Sequence, residues 1–213
     1  MISLLIPNTG ATTSMFTLIM SVIAYLIGSL STAILICQWL KLPDPRTQGS
    51  GNPGATNVLR FAGKRLAIMV LIGDFLKGLA AVGLAKFCGV APLSLIAFAV
   101  VLGHCYPIFF KFQGGKGVAT AFGALFGLSF YLGAAMVLTW LLVALAYAYS
   151  SLAALTAIVL APVYTAWFLD SKAAGFICLI SLLVVWRHRR NIQNLTAGIE
   201  TKIGQKPSEP LIK

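Results

Sequence analysis

Residues 118–149 read VATAFGALFGLSFYLGAAMVLTWLLVALAYAY, 32 positions without one charged side chain. A helix that crosses a bilayer needs about 20 predominantly apolar residues. The stretch is therefore long for one crossing and short for two. Gly127 and Gly133 flank a break point near Ser129. Whether the chain turns there decides how many times the whole molecule crosses a membrane.

The flanks decide it. Upstream, residues 15–40, 66–87 and 93–110 are apolar runs, the last two separated by a tight break at 88–92; downstream lie runs at 152–169 and 173–186. Three segments are unfit for hydrocarbon: the Gly-, Pro- and Asn-rich 41–65, the loop KFQGGKG at 111–117, and the tail from Arg187. They carry 13 of the 16 Lys and Arg residues. Basic residues collect on the cytoplasmic side, so all three are expected there. An even number of crossings must then join Lys116 to the tail, so 118–149 is read as two short helices. The reading is an all-α, polytopic membrane bundle of about seven transmembrane helices, N-terminus outside and C-terminus cytoplasmic, forming one domain over 1–213. A single helix over 118–149 would leave six spans and an outside tail, against the tail's charge.

Composition agrees. Hydrophobic residues make up 59% and charged residues 10% of 213, and mean hydropathy is +0.91. A soluble domain carries roughly a quarter charged residues. The net charge of +11 serves topology, and it also suits anionic head groups or anionic substrates. The first 14 residues hold no Lys or Arg, and the apolar run behind them is too long for a signal-peptide core, so it reads as a retained first span. Cys37, Cys88, Cys105 and Cys178 form no CxxC pair and read as small buried hydrophobes. No soluble domain or internal repeat is evident.

The polar segments carry the chemistry. Residues 44–60, DPRTQGSGNPGATNVLR, place Gly49, Gly51 and Gly54 within six positions, among Ser50, Asn52, Thr56 and Asn57, with Arg46 and Arg60 at the ends. Glycine turns that aim N–H groups inward, with arginine's planar fork, suit a phosphate; the same composition also makes an ordinary loop. In the second segment Gly114, Gly115 and Gly117 bracket Lys116 just before a helix, an anion site by dipole and geometry. It is not a P-loop, because the GxxxxGK[ST] spacing is missing. His104 lies near the cytoplasmic end of the third span, either as a hydrogen-bonded structural residue or as a catalyst. His188 and Asn191 stand three apart on one helical face in the tail, otherwise a basic anchor on anionic lipid. Asp74 and Lys77, three apart inside the second span, are expected to face the bundle and pair. Five acidic residues in all argue against carboxylate-cluster metal chemistry, and no Ser/Cys-His-Asp arrangement is evident.

GSGNPGATNVLR (49–60), GHCYPIFFKFQGGKGVATAFG (103–123) and HRRNIQNLTAGIE (188–200), in that order, resemble the three signature segments of the acyl-phosphate:glycerol-3-phosphate acyltransferases. GSLSTA at 28–33 and DFLKG at 74–78 add to the likeness, which runs from about residue 20 to 202; Asn194 stands where a basic residue often follows the glutamine. The resemblance implies acyl transfer from a fatty acyl phosphate to the 1-hydroxyl of glycerol 3-phosphate, giving lysophosphatidate and phosphate, the first acylation of phospholipid biosynthesis. It implies no cofactor, metal or nucleic acid. Its setting is a bacterial inner membrane with the site on the cytoplasmic face, membrane lipid around it, and contact with the enzyme that makes the acyl phosphate. The candidate catalytic residues are Arg46, Ser50, Asn52, His104, Ser150, His188 and Asn191. The candidate substrate-binding residues are Gly49, Gly51, Gly54, Thr56, Asn57, Arg60, Gly114, Gly115, Lys116 and Gly117. The His-x4-Asp dyad of acyl-CoA-dependent acyltransferases is absent: Phe109 follows His104 and Gln193 follows His188 at that offset. Direct transfer without an acyl-enzyme is favoured, with the hydroxyl proton leaving to a substrate phosphate or to a histidine. An anion transporter and a lipid-binding scaffold are the alternative readings.

Overall fold

A computed structural model describes residues 10–205, with side chains from Ser14. The N-terminal end and the last basic residues, Lys206 and Lys213, lie outside the described residues. Ten α-helices follow in order: α1 (Gly10–Ser29), α2 (Thr32–Trp39), α3 (Ala55–Ala62), α4 (Lys64–Phe87), α5 (Leu93–Cys105), α6 (Val118–Leu128), α7 (Phe130–Tyr147), α8 (Ser150–Phe168), α9 (Ser171–Arg187) and α10 (Arg189–Thr196). A 3-10 turn, Ile108–Phe110, follows α5. In hydrocarbon the backbone must satisfy its own hydrogen bonds, so runs without charge become helices whatever their propensity.

The chain does turn at Ser129, whose extended backbone separates α6 from α7. The expected first span is bent: α1 and α2 meet at 45° across Leu30 and Ser31. The expected last span, 173–186, lies within α9, and the chain bends by 60° after it into α10. Among the described residues four helices are long and apolar enough to cross a bilayer, or up to six candidates if each bent pair is one span. At 11 residues, α6 rises only about 16 Å, roughly half the hydrocarbon thickness. One element was not expected. Residues 55–62, read as loop, form amphipathic α3, which buries Val58 against Ala33 and Val70.

Small residues let the helices meet backbone to backbone. A Cβ on Gly28 would collide with the Val100 carbonyl and one on Gly103 with the Tyr25 carbonyl, which fixes the α1–α5 crossing. Gly78 against Thr120 and Gly123 against Phe75 do the same for α4 and α6. Lipid gives no hydrophobic push between helices, so close van der Waals packing of this kind holds them. The core is centred on Val100, Leu125, Ile158 and Ile180, all buried. Leu71, Leu142, Leu145 and Leu182 face outward. Cys178, expected inside, is on the exposed side of α9; all four cysteines are free.

Candidate active site

The loop between α5 and α6 is built around Gly114 and Gly115. Its approach is tight: Lys111 and Phe112 take left-handed backbones, and Gly117 does so as the cap of α6. Gly115 N–H donates to the His104 carbonyl (3.1 Å). From α9, Arg187 Nε donates to the Gly115 carbonyl (3.0 Å) and Nη2 to the Gly114 carbonyl (2.7 Å). The same guanidinium lies over the Tyr106 ring, 5.2 Å from its centroid. Arginine's rigid fork thus fixes the peptide planes on either side of Gly115.

Lys116 stands half-buried on this loop. Burial pushes its ammonium down to about 8; Glu200 opposes the shift, and Arg60, Arg187 and Arg190 add to it. Four cations and one carboxylate at one end of the bundle leave an excess of positive charge, an environment that favours a multiply charged anion.

The tail closes the site from the other side. Glu200 Oε1 accepts hydrogen bonds from Ser151 Oγ and Asn191 Nδ2, each 2.6 Å. Ile203 N–H donates to the Ala148 carbonyl (2.7 Å). His188 links α9 to α10, is 2% exposed, and contacts the Val184 carbonyl through Nδ1 (2.8 Å). A carbonyl only accepts, so the Nδ1 proton is placed there and Nε2 is left as the acceptor nitrogen.

The first polar segment is put to different use than its composition suggested. Asn57, expected to touch a phosphate, is 1% exposed. Its Nδ2 donates to the Pro45 and Gln48 carbonyls and its Oδ1 accepts from Ser50 N–H, so the amide folds the loop. Arg46, expected to offer its fork to a phosphate, is bound to Asp44 (2.6 Å) and donates to the Phe110 carbonyl (3.2 Å). These hydrogen bonds hold the Asp44 carboxyl below its usual range. Arg46 therefore ties the first loop to the turn that leads into Gly114. Gly49 and Gly51 make left-handed turns, whereas Gly54 caps α3 in an extended conformation open to any residue. Ser50 and Thr56 are exposed, and Asn52 and Arg60 half-buried. Of this segment, Arg60 is the residue whose charge reaches Lys116.

His104 is buried under the loop, its ring against Gly115. Ser150 opens α8, and its neighbour Ser151 makes the contact with Glu200. Ser151, Arg187, Arg190 and Glu200 were not among the residues expected at the site. The available signal was Glu200, one of two acidic side chains in a basic tail.

A family model of glycerol-3-phosphate acyltransferase matches residues 18–198. The chain belongs to the glycerol-3-phosphate acyltransferase family. Among its acyltransferase relatives, a glycerol-3-phosphate acyltransferase of Vibrio vulnificus is 52% identical over 189 residues, covering 88% of this chain and 93% of the relative. One of Burkholderia pseudomallei is 51% identical over 195 residues, covering 89% and 96%. Two crystal structures of PlsY (YgiH), an integral membrane glycerol 3-phosphate acyltransferase, are similar throughout. The glycerol 3-phosphate form has a TM-score of 0.83 at 40% identity, covering 88% of this chain and 96% of that one. The lysophosphatidic acid form has a TM-score of 0.81 at 39% identity, covering 88% and 95%. The family match spans the first two polar segments and the tail through Gly198.

Proposed function

We infer that this chain is an acyltransferase that esterifies the 1-hydroxyl of glycerol 3-phosphate with a fatty acyl group, giving lysophosphatidate. Relatives at about half identity are named glycerol-3-phosphate acyltransferase, and a similar structure exists in a glycerol 3-phosphate form and a lysophosphatidic acid form. The observation that carries the reading is the group Lys116, Arg60, Arg187 and Arg190 around a glycine loop, with Glu200 as its acidic member. The glycerol 3-phosphate phosphate fits this loop, where Lys116 and Arg60 supply charge, and Gly114, Gly115 and Gly117 let the loop pack down onto His104, Cys105 and Val184.

The acyl donor is a fatty acyl phosphate. The absent His-x4-Asp dyad supports it, since an acyl phosphate is already activated and needs positioning and charge stabilisation more than base catalysis. The hydroxyl oxygen bonds to the acyl carbon, the bond from that carbon to the phosphate oxygen breaks, and overall the proton ends on the released phosphate. Ser50 and Asn52 on the first loop, with Ser150, His188 and Asn191 on the other side, flank the reacting carbonyl. No cofactor or metal takes part.

The whole chain acts as one transmembrane unit with seven crossings, α6 being the short one. The active site then opens to the cytoplasmic side of a bacterial inner membrane. Contacts at one end of the bundle support this. Arg187 meets Gly114 and Gly115, Ser151 meets Glu200, and Ala148 meets Ile203. The α6–α7 and α8–α9 pairs therefore leave from and return to the same end. Exposed basic residues there, such as Arg189 and Lys202, suit contact with the enzyme that makes the acyl phosphate.

Purified protein given acyl phosphate and glycerol 3-phosphate should release phosphate and lysophosphatidate in equal amounts. Comparable turnover with acyl-CoA would overturn the donor assignment, and no acyl transfer with either would overturn the function.

A further inference from the structure

Asp74 and Lys77 are buried in the middle of α4, 3% and 9% exposed, and take no part in the site described above. A buried ion pair inside a membrane bundle is costly and adds little net stability over apolar side chains. Its partners indicate what it does. Lys77 Nζ lies 2.9 Å from Asp74 Oδ1 and donates to the Leu30 carbonyl (2.8 Å), at the break between α1 and α2. Thr32 Oγ1, at the start of α2, donates to the same Asp74 oxygen (3.0 Å). That oxygen is also 3.6 Å from His104 Nδ1, and His104 Nδ1 shares a 3.2 Å hydrogen bond with Thr120 Oγ1 of α6.

The far edge of the imidazole is in contact with the active-site loop. Any Cβ at residue 115 would collide with His104 Nε2, Cε1 and Cδ2, so the ring is the floor on which Gly115 rests. The His104 carbonyl takes the Gly115 N–H. Ring and main chain of one residue therefore both set the position of the residue before Lys116.

We propose that Asp74, Lys77, His104 and Thr120 form a positioning device that holds the Gly114–Gly117 loop at the height where Lys116 meets the phosphate of glycerol 3-phosphate. This rests on the reading that the loop binds that phosphate. His104, a catalytic candidate by sequence, is then a positioning residue: Asp74 and Thr120 fix its ring, and the ring fixes Gly115. Losing the orientation lets the loop settle by a fraction of an ångström. That weakens binding of glycerol 3-phosphate and leaves the chemistry and the acyl donor untouched.

The test is steady-state kinetics of the purified full chain in lipid nanodiscs, with thermal stability measured alongside. Two variants are used: Asp74→Asn with Lys77→Met, so that neither charge is stranded, and the milder Thr120→Val, which keeps the assay informative if the first folds poorly. Each is expected to raise KM for glycerol 3-phosphate about three- to tenfold, the coupling usual between contacting residues. The acyl-phosphate KM should stay unchanged and kcat within about twofold, the pattern of lost substrate binding. In a Lys116→Ala background the Thr120→Val effect on KM should largely vanish. Unchanged KM with lower kcat or stability would overturn the proposal and leave the cluster a scaffold. So would an equal KM effect with and without Lys116. Lys116→Ala with unaltered KM would overturn the binding assignment of the loop, and the proposal with it.

Discussion

Lys116 is a cation made costly by its neighbours. Its charged form is disfavoured by burial and by Arg60, Arg187 and Arg190, so the ammonium titrates near 8. The free enzyme then loses this charge as pH rises through about 8. Because kcat/KM reports the free enzyme, kcat/KM for glycerol 3-phosphate should fall above that pH. Lys116→Arg should remove the falling limb, since arginine stays charged; an unchanged limb would assign it to another group. Lys116→Ala should weaken binding by about 1.5–3 kcal/mol, the range for a hydrogen bond to a charged group, read as a higher KM at similar kcat. Glu200 is the opposite case. Its Oε1 anchors Ser151 and Asn191, so Glu200→Ala strands two donors and should lower thermal stability, whereas Glu200→Gln, which keeps an acceptor, should recover part of it. Equal stability of the two variants would show that the hydrogen bonds are not what holds the tail. Asn57 shows where composition misleads. An asparagine in a glycine turn can contact a phosphate or fold the turn, and burial alone distinguishes the two.

Between elements, the α4–α6 crossing sets how deep the Gly114–Gly117 loop sits, because Gly117 caps α6. Gly123 lies against the Phe75 carbonyl, backbone that cannot move aside as a flexible side chain can. Gly123→Val should overpack the crossing at a cost of about 1–3 kcal/mol, seen as lower folded yield and a lower thermal midpoint. Gly83→Ala on the same α4 meets nothing within 4 Å and should be silent in the same assays. Loss of stability at position 83 equal to that at 123 would show that close backbone approach is not what governs these glycines, since alanine is the better helix former. The break at Ser129 was legible from sequence because the basic segments on both sides of it, expected on one face, require an even number of crossings between them. Helix α3 was not, because its turn-rich flank hid an amphipathic eight-residue segment whose apolar side needs Ala33 and Val70 to pack against.

For the molecule as a whole, the proposed seven crossings would put Ser50, Lys116 and Asn191 on the cytoplasmic side and the α4–α5 and α8–α9 turns outside. In a cysteine-free background, single cysteines at 50, 116 and 191 should resist an impermeant reagent added to intact cells, whereas cysteines at 89 and 172 should react. External labelling at any two of the first three would overturn the topology.

The sequence by itself determined the apolar helices, the three polar segments and the family they resemble. These follow from local facts: backbone in hydrocarbon must hydrogen-bond to itself, and a signature is read in chain order. Only the tertiary structure decided which polar side chains work together. Arg187 reaches Gly115 across 72 positions, Ser151 reaches Glu200 across 49, and Thr32 reaches Asp74 across 42. No periodicity encodes such pairs. They exist because glycines such as Gly28, Gly78, Gly103 and Gly123 let helix backbones touch, and that packing sets which side chains share one end of the bundle.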